Sequence, residues 1–176
     1  ATQNPIEQEG TYPLPEAQLD RFLVQINVQY PDRATERDIL LATTGISEED
    51  AHAVFSPTDL MAAQTVLRRM PVGDNVVDLI LDLVRACRPD EPGVPESVAK
   101  NVSWGPGPRA AQALMLTVRA KALLDGRLAP SPQDVVDMAE PVLLHRMAMT
   151  FAARARGESL GDIIHDVAAG VTRIEA

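Results

Sequence analysis

The sequence predicts a mainly α-helical protein with a small mixed α/β portion at its N-terminus. From residue 56 onward, apolar residues recur at helical spacing in segments that begin at Ser-Pro, Asp or Gly-Pro. Residues 22–30 instead alternate polar and apolar side chains at period two and are followed by Pro31, which is typical of a strand. Together these patterns predict helices packed on one another, preceded by a short strand-containing segment.

The first 31 residues are expected to combine turns, a short helix and this strand. Asn4 precedes Pro5, which favours extended backbone at Asn4. A helix follows Pro15 with Glu16 in its first turn, and Arg21 is then expected in its last turn. The chain opens without Met and reads as a strand end entering a turn, so we expect the beginning of this fold to lie upstream of residue 1.

The remaining residues are predicted to form six helices joined by turns. Asp32 and Ser131 stand at expected helix starts, and Gly45 at an expected helix end. The helix that opens after Pro108 is apolar nearly all round, so we expect it at the centre of the core. The predicted helices cover residues 33–43, 57–69, 74–87, 109–124, 132–138 and 159–167, with a loop at 88–103, a turn at 141–145 and a short strand near 149–151.

Four strings of this sequence resemble the MoxR-type AAA+ ATPases. ATQNP and EGTYPLPEAQLDRF stand in the order found in the second half of that family's nucleotide-binding domain. GPGPRAAQALMLTVRAKALLDGR and SPQDVVDMAEPVLLHR are similar to the family's helical lid. The resemblance implies that residues 1–31 are the C-terminal part of the AAA+ core and that residues 32–176 are an all-α lid domain, with a bundle at about 56–147 and a C-terminal extension at 148–176.

The resemblance implies three functional residues. Asn4 matches sensor 1, whose neutral amide can donate to the terminal phosphate and orient the attacking water. Arg21 matches the arginine finger, a permanently charged planar group that reaches the ATP site of a neighbouring subunit. Arg109 matches sensor 2, the lid arginine that contacts nucleotide in its own subunit. In this sequence WGPGPRA replaces the family's more usual Gly-x-Ser-Pro-Arg, so a Ser hydroxyl is missing beside Arg109.

Each of these residues also has an ordinary structural interpretation. Asn before Pro is common in turns, and Arg21 at a helix end can complement the helix dipole or pair with Asp20. Arg109 can point to solvent or meet an acid such as Asp134 or Glu140. A cation in the first turn of a helix is disfavoured by about 0.3 to 1 kcal/mol, a penalty that a bound phosphate reverses.

The function that the resemblance implies is ATP hydrolysis coupled to remodelling or maturation of partner protein complexes. The family's cofactors are ATP and Mg²⁺, and we expect neither to bind tightly to this chain alone. Its members form rings, commonly hexamers, and often act with a von Willebrand factor A-type protein.

The chain lacks the sequence signals of the phosphate-binding half of such a site. A phosphate-binding loop needs glycines followed by Lys and Ser or Thr, and neither Lys100 nor Lys121 stands in that context. The acid pair of a Walker B strand is missing too, because Asp82 is followed by Leu83 within a helical pattern. We therefore expect the chain alone to be inactive.

Net charge, hydropathy and the number of Cys and His residues bear on the kinds of partner, site and setting that this protein can have. The formal net charge of −9 argues against nucleic acid as the main partner, and no apolar run is long enough to span a membrane. Cys87 is the single cysteine, which favours a reducing, cytoplasmic setting. No metal site is expected, because the three histidines are far apart in sequence. Two alternatives remain open: a non-enzymatic scaffold or adaptor derived from an AAA+ lid, and a nucleic-acid remodeller of a related AAA+ branch.

Overall fold

The computed structural model describes residues 1–2, 14–45 and 52–174. They divide into two compact units, one formed by residues 1–25 and 67–176 and the other by residues 26–66. The helices of the described residues are α1 Glu16–Leu19, α2 Arg33–Thr44, α3 Pro57–Arg69, α4 Asp74–Ala86, α5 Glu96–Asn101, α6 Pro108–Leu124, α7 Pro132–Leu143, α8 Phe151–Ala155 and α9 Leu160–Ile174. The strands are β1 Val102–Trp104 and β2 Ala148–Met149. The mainly helical fold class is confirmed.

The core of the larger unit lies between α4, α6, α7 and α9. Burial of apolar side chains is the main stabilising term in such a bundle. In α4, apolar residues at helical spacing form the inward face: Val76, Ile80 and Leu83 are buried, as is Cys87 directly after the helix. Helix α6 is central as expected and packs against α4 and α7. Its buried residues are Ala110, Ala113, Leu114, Thr117, Val118 and Ala122.

Two helix starts have the side-chain caps that the sequence indicated. Asp32 accepts a hydrogen bond from the backbone N–H of Thr35 at 2.8 Å, at the start of α2. Ser131 and Asp134 form a capping box at the start of α7, in which each side chain bonds the other residue's backbone N–H. These local contacts explain why the predicted helix starts are accurate to within a residue.

The strand predicted at residues 22–30 is wrong. No residue from Phe22 to Tyr30 is in a strand, and Ile26, Val28 and Tyr30 are exposed. Alternation alone does not make a strand, because its backbone N–H and C=O groups need a neighbouring strand. In the part of the chain that the structure describes, the two-stranded sheet pairs β1 with β2 only.

The loop predicted at residues 88–103 is also partly wrong, because it contains α5 and β1. Pro95 precedes α5, where its fixed φ suits a helix start, and Val98 is buried. β1 runs antiparallel to β2, with Val102 opposite Met149. Helix α7 continues through Pro141 to Leu143, beyond the predicted end at residue 138, and a 3₁₀ turn at Leu144–Arg146 follows.

Within the described residues, no helix combines the length and apolar character that crossing a bilayer requires.

Candidate nucleotide-contact residues

Arg21 lies just beyond the C-terminal end of α1, rather than in its last turn as predicted. The helix ends at Leu19, and Asp20 is its C-cap. The side chain of Arg21 is exposed, and it forms no hydrogen bond or ion pair with any residue that the structure describes. The alternative in which Arg21 pairs with Asp20 is not observed, because the ion pairs of Asp20 among the described residues are with Arg109 and Arg146.

Arg109 occupies the first turn of α6, directly after Pro108. That turn contains no acidic residue, and the N-cap Gly107 has no side chain to bond the exposed N–H groups. The helix N-terminus thus keeps its positive end open, as an anion site requires. A phosphate fits this end of α6 chemically, because both the backbone N–H groups and the guanidinium can donate to it.

The loop before Arg109 is held tightly against the end of α4. A Cβ added at Gly105 would lie 2.7 Å from the Cys87 carbonyl oxygen and 2.8 Å from Arg88 Cα. Arg88 Nε also donates to the carbonyl oxygen of Pro106 at 2.9 Å. These contacts fix the point where α6 begins, and with it the position of Arg109.

The acid that meets Arg109 is Asp20. Arg109 Nη1 lies 3.4 Å from Asp20 Oδ2, with the Arg109 side chain 55% and the Asp20 side chain 17% exposed. The sequence had suggested Asp134 or Glu140 instead. Those two acids have other partners: Asp134 binds Arg127 through two short contacts, and Glu140 lies 2.8 Å from His165.

Asp20 has a second cationic partner, Arg146, whose side chain is only 2% exposed. Arg146 Nε lies 3.3 Å from Asp20 Oδ1. Its other nitrogens donate to the backbone carbonyl oxygens of Asp20 at 3.2 Å, Leu23 at 3.2 Å, Phe22 and Val142. A buried guanidinium is tolerated only when its N–H groups are satisfied in this way.

His145 supports the same segment from the neighbouring position. Its Nε2 lies 3.0 Å from the Phe22 carbonyl oxygen, so the ring donates there in its Nε2–H form. Burial lowers the pKa of His145, and the charge of Arg146 lowers it further, while the bond to Phe22 and the charge of Asp20 oppose this. In the sequence, His145 and Arg146 end the lid-like string SPQDVVDMAEPVLLHR, and that resemblance did not indicate that they hold residues 20–23. A charged residue inside the apolar run VLLHRMAM was the available signal.

Asn4 lies outside the described residues, so its predicted contact with phosphate stays a prediction. Among the residues that the structure describes, no group of three or more His, Cys, Asp or Glu side chains is arranged to hold a metal ion. Cys87 is buried, and burial raises its pKa to about 12. That thiol is therefore a packing group.

Two protein families match parts of this chain. The AAA lid domain family matches residues 96–167, which run from α5 into α9. The family described as ATPases associated with various cellular activities matches residues 1–24, which include Arg21. The first match includes Arg109 and Arg146.

The relatives agree with these matches. The chain is 41% identical over 155 residues to Chaperone MoxR1 of Mycobacterium tuberculosis, covering 88% of this chain and 41% of that protein. It is 32% identical to Protein MoxR of Paracoccus denitrificans, covering 96% of this chain and 53% of the relative. A crystal structure of a candidate ATPase from Cytophaga hutchinsonii is similar with a TM-score of 0.86 and 32% identity, over 94% of this chain and 50% of that one. The chain therefore spans about half the length of the proteins it matches.

Proposed function

We propose the following function for this chain, which belongs to the MoxR-type AAA+ ATPases. In the full-length protein, it supplies the lid and two arginines of a site that hydrolyses ATP to ADP and phosphate with Mg²⁺. Arg109 contacts the nucleotide phosphates of its own subunit, and Arg21 enters the site of the neighbouring subunit. Asn4 is proposed to orient the attacking water as sensor 1.

The observation that carries this proposal is the state of the two arginines. Arg109 stands in the first turn of the 17-residue helix α6, where no acidic side chain offsets the positive helix end. Arg21 directly follows Asp20 in sequence, and its side chain is exposed. Neutralisation of charge on the transferring phosphoryl group is the main catalytic need in this chemistry. The described residues offer no set of Mg²⁺ ligands, so the metal is assigned to the rest of the protein.

The assembly proposed is a ring, and specifically a hexamer, because a finger that acts on a neighbour requires repeated head-to-tail contacts. Its output is proposed to be chaperone-like maturation of partner complexes, with a von Willebrand factor A-type protein as one partner. We propose residues 1–31 as the end of the core and 32–176 as the lid, and the cytoplasm as the setting. Without a phosphate-binding loop or a Walker B acid pair, this chain alone is proposed to be inactive.

The test is steady-state ATP hydrolysis by the full-length protein with single substitutions. Arg21→Ala is expected to lower kcat on the order of 10³-fold, because the charge that it supplies is needed in the transition state. Arg109→Ala is expected to raise KM for ATP. Arg154→Ala, at an exposed arginine of α8, is the matched control and should behave as wild type.

Mixing the variants tests the division between subunits. Arg21→Ala subunits retain a complete nucleotide site, and Arg109→Ala subunits retain the finger, so a mixture should be more active than either variant alone. An Arg21→Ala protein with wild-type kcat would remove the trans role.

The non-enzymatic alternative is a scaffold that keeps the lid as a binding surface. The pairing of Arg109 with Asp20 favours it, since that contact already satisfies part of the guanidinium. The two proposals differ in nucleotide binding: a scaffold would bind labelled ATP no better when Arg109 is present than when it is replaced by Ala.

A further inference from the structure

The buried guanidinium of Arg146 donates to the residues on both sides of Arg21. Four of its contacts go to the segment Asp20–Leu23, including the backbone carbonyl oxygens of Asp20, Phe22 and Leu23. Only the contact with the Val142 carbonyl oxygen stays within its own end of α7. Arg146 is therefore satisfied mainly by a segment more than 120 residues away in sequence.

Two further contacts hold the same segment. His145 Nε2 lies 3.0 Å from the Phe22 carbonyl oxygen, and the backbone N–H of Gln25 donates to the Pro141 carbonyl oxygen at 2.8 Å. All three anchoring groups belong to the end of α7 or the 3₁₀ turn that follows it. Residues 20–25 are thus bound along one end of a single lid helix.

This anchor defines where the backbone of Arg21 lies. The backbone carbonyl oxygens of its neighbours Asp20 and Phe22 each accept a hydrogen bond from Arg146. The Arg21 side chain itself has no partner among the described residues. The contacts of Arg146 therefore fix the backbone position from which the Arg21 side chain extends. A displacement of about 1 Å in a catalytic group can cost on the order of 10²-fold in rate.

We propose that Arg146 is a positioning residue for Arg21, so that the lid of one subunit sets the finger presented to the next subunit. The inference rests on the proposed function, because it requires Arg21 to act in trans. It adds a residue that touches neither nucleotide nor neighbour, and it links lid position to catalysis in the adjacent site.

The first measurement is amide hydrogen exchange in the full-length protein. Arg146→Lys keeps the positive charge but replaces the five N–H donors of a planar fork by three on one nitrogen, which cannot reach all the acceptors of Arg146 together. We expect faster exchange at residues 21–25 and unchanged protection in α6. Arg127→Lys is the matched control, since Arg127 pairs with Asp125 and with Asp134 at the start of α7, whereas the anchor lies at the end of that helix. Uniform loss of protection throughout the lid would mean that Arg146 only stabilises the fold.

The second measurement is the split between kcat and KM for ATP. Arg146→Lys should lower kcat by about 10²-fold. It should leave KM within about twofold, because Arg109 of the variant subunit can still contact the nucleotide of that subunit. An equal mixture of Arg146→Lys and Arg109→Ala subunits should regain activity. About a quarter of its interfaces join the intact nucleotide site of an Arg146→Lys subunit to the intact finger of an Arg109→Ala subunit. A subunit that is merely unstable would not be complemented in this way.

A second variant covers the case in which Arg146→Lys fails to fold. His145→Phe keeps an aromatic ring, although a larger one, removes the bond to Phe22, and also removes Nδ1, which is buried without a partner among the described residues. It should show the same kcat loss in weaker form and the same complementation. If these anchor variants fold but keep wild-type kcat, or are not rescued by Arg109→Ala, the inference is overturned. If Arg21→Ala itself keeps the wild-type kcat, the proposed function is wrong. That conclusion holds even if hydrogen exchange shows that Arg146 holds residues 21–25.

Discussion

Arg109 Nη1 lies 3.4 Å from Asp20 Oδ2, although 89 residues separate the two in sequence. The lid arginine is thus paired with the residue that directly precedes the proposed finger, Arg21. An ion pair in which the arginine side chain is 55% exposed is easily broken, because water screens it. We interpret the contact as one that a phosphate can replace.

The first prediction concerns competition between Asp20 and phosphate for Arg109. Asp20→Asn keeps the shape of the side chain and removes its charge, so binding of a non-hydrolysable ATP analogue to the full-length protein should tighten, by up to about fivefold. Equilibrium titration measures the change. In an Arg109→Ala background the same substitution should have no effect on affinity, and weaker binding in the single variant would contradict the competition.

The second prediction concerns Gly105, where the loop before α6 approaches the end of α4. Gly105→Ala should lower the free energy of unfolding by about 1 to 3 kcal/mol, because the new methyl group meets backbone atoms of Cys87 and Arg88. Denaturant unfolding followed by circular dichroism measures it. Gly107→Ser is the control, since nothing lies within 4 Å of a Cβ there. It should change stability by less than about 0.5 kcal/mol.

The third prediction concerns the buried carboxylate of Asp134. Arg127 and the Ser131 capping contacts lower its pKa from 3.8 to about 2. The stability that it contributes is therefore complete above pH 3.8 and is lost as the pH falls toward 2. Asp134→Ala should destabilise the chain by about 2 kcal/mol near pH 7, from loss of the cap and of the ion pair.

Unfolding in urea at pH 7 and at pH 2 tests this dependence, with Asp137→Ala on the same helix as control. The difference between wild type and Asp134→Ala should shrink at the lower pH. An equal difference at both values would mean that the carboxylate is not ionised in the folded protein as described.

The fourth prediction concerns His145, whose pKa lies below its ordinary value of 6.5 chiefly because the ring is buried. The unfolded chain takes up a proton below pH 6.5 more readily than the folded chain does. The contribution of neutral His145 to stability is then complete above that pH and is lost as the pH falls through the folded-state pKa. Arg146 and Asp20 are the charged groups that face the ring.

Thermal unfolding between pH 7.5 and 5 measures this effect. Wild type should lose stability on acidification more steeply than His145→Phe. His165→Gln, which alters the exposed pair with Glu140, should keep the wild-type slope. A His145→Phe protein with the wild-type slope would exclude His145 as the source.

The sequence predicts best those elements whose signals lie within a few residues of one another. Asp32 starts α2, Pro57 starts α3, and the inward face of α4 follows from spacing alone. Each of these depends on a cap, on a fixed φ angle or on a 3.6-residue period. The two arginines also came from local strings, through their resemblance to known ATPases.

The same local reasoning failed where the outcome depends on a distant partner. Residues 22–30 have the alternation of a strand but no strand beside them among the described residues. β1 formed inside an apparent loop because β2, more than 40 residues later, pairs with it. Strand formation therefore could not be judged from either segment alone.

By itself, the sequence determined the helical character, most helix starts and the candidates Arg21 and Arg109, since these features are encoded over one or two helical turns. Only the tertiary structure decided that Asp20 joins Arg109 to Arg146 and that the end of α7 holds the backbone around Arg21. The physical reason is that hydrogen bonds and ion pairs act over a few ångströms. Which distant residues come that close depends on how the whole helical core packs.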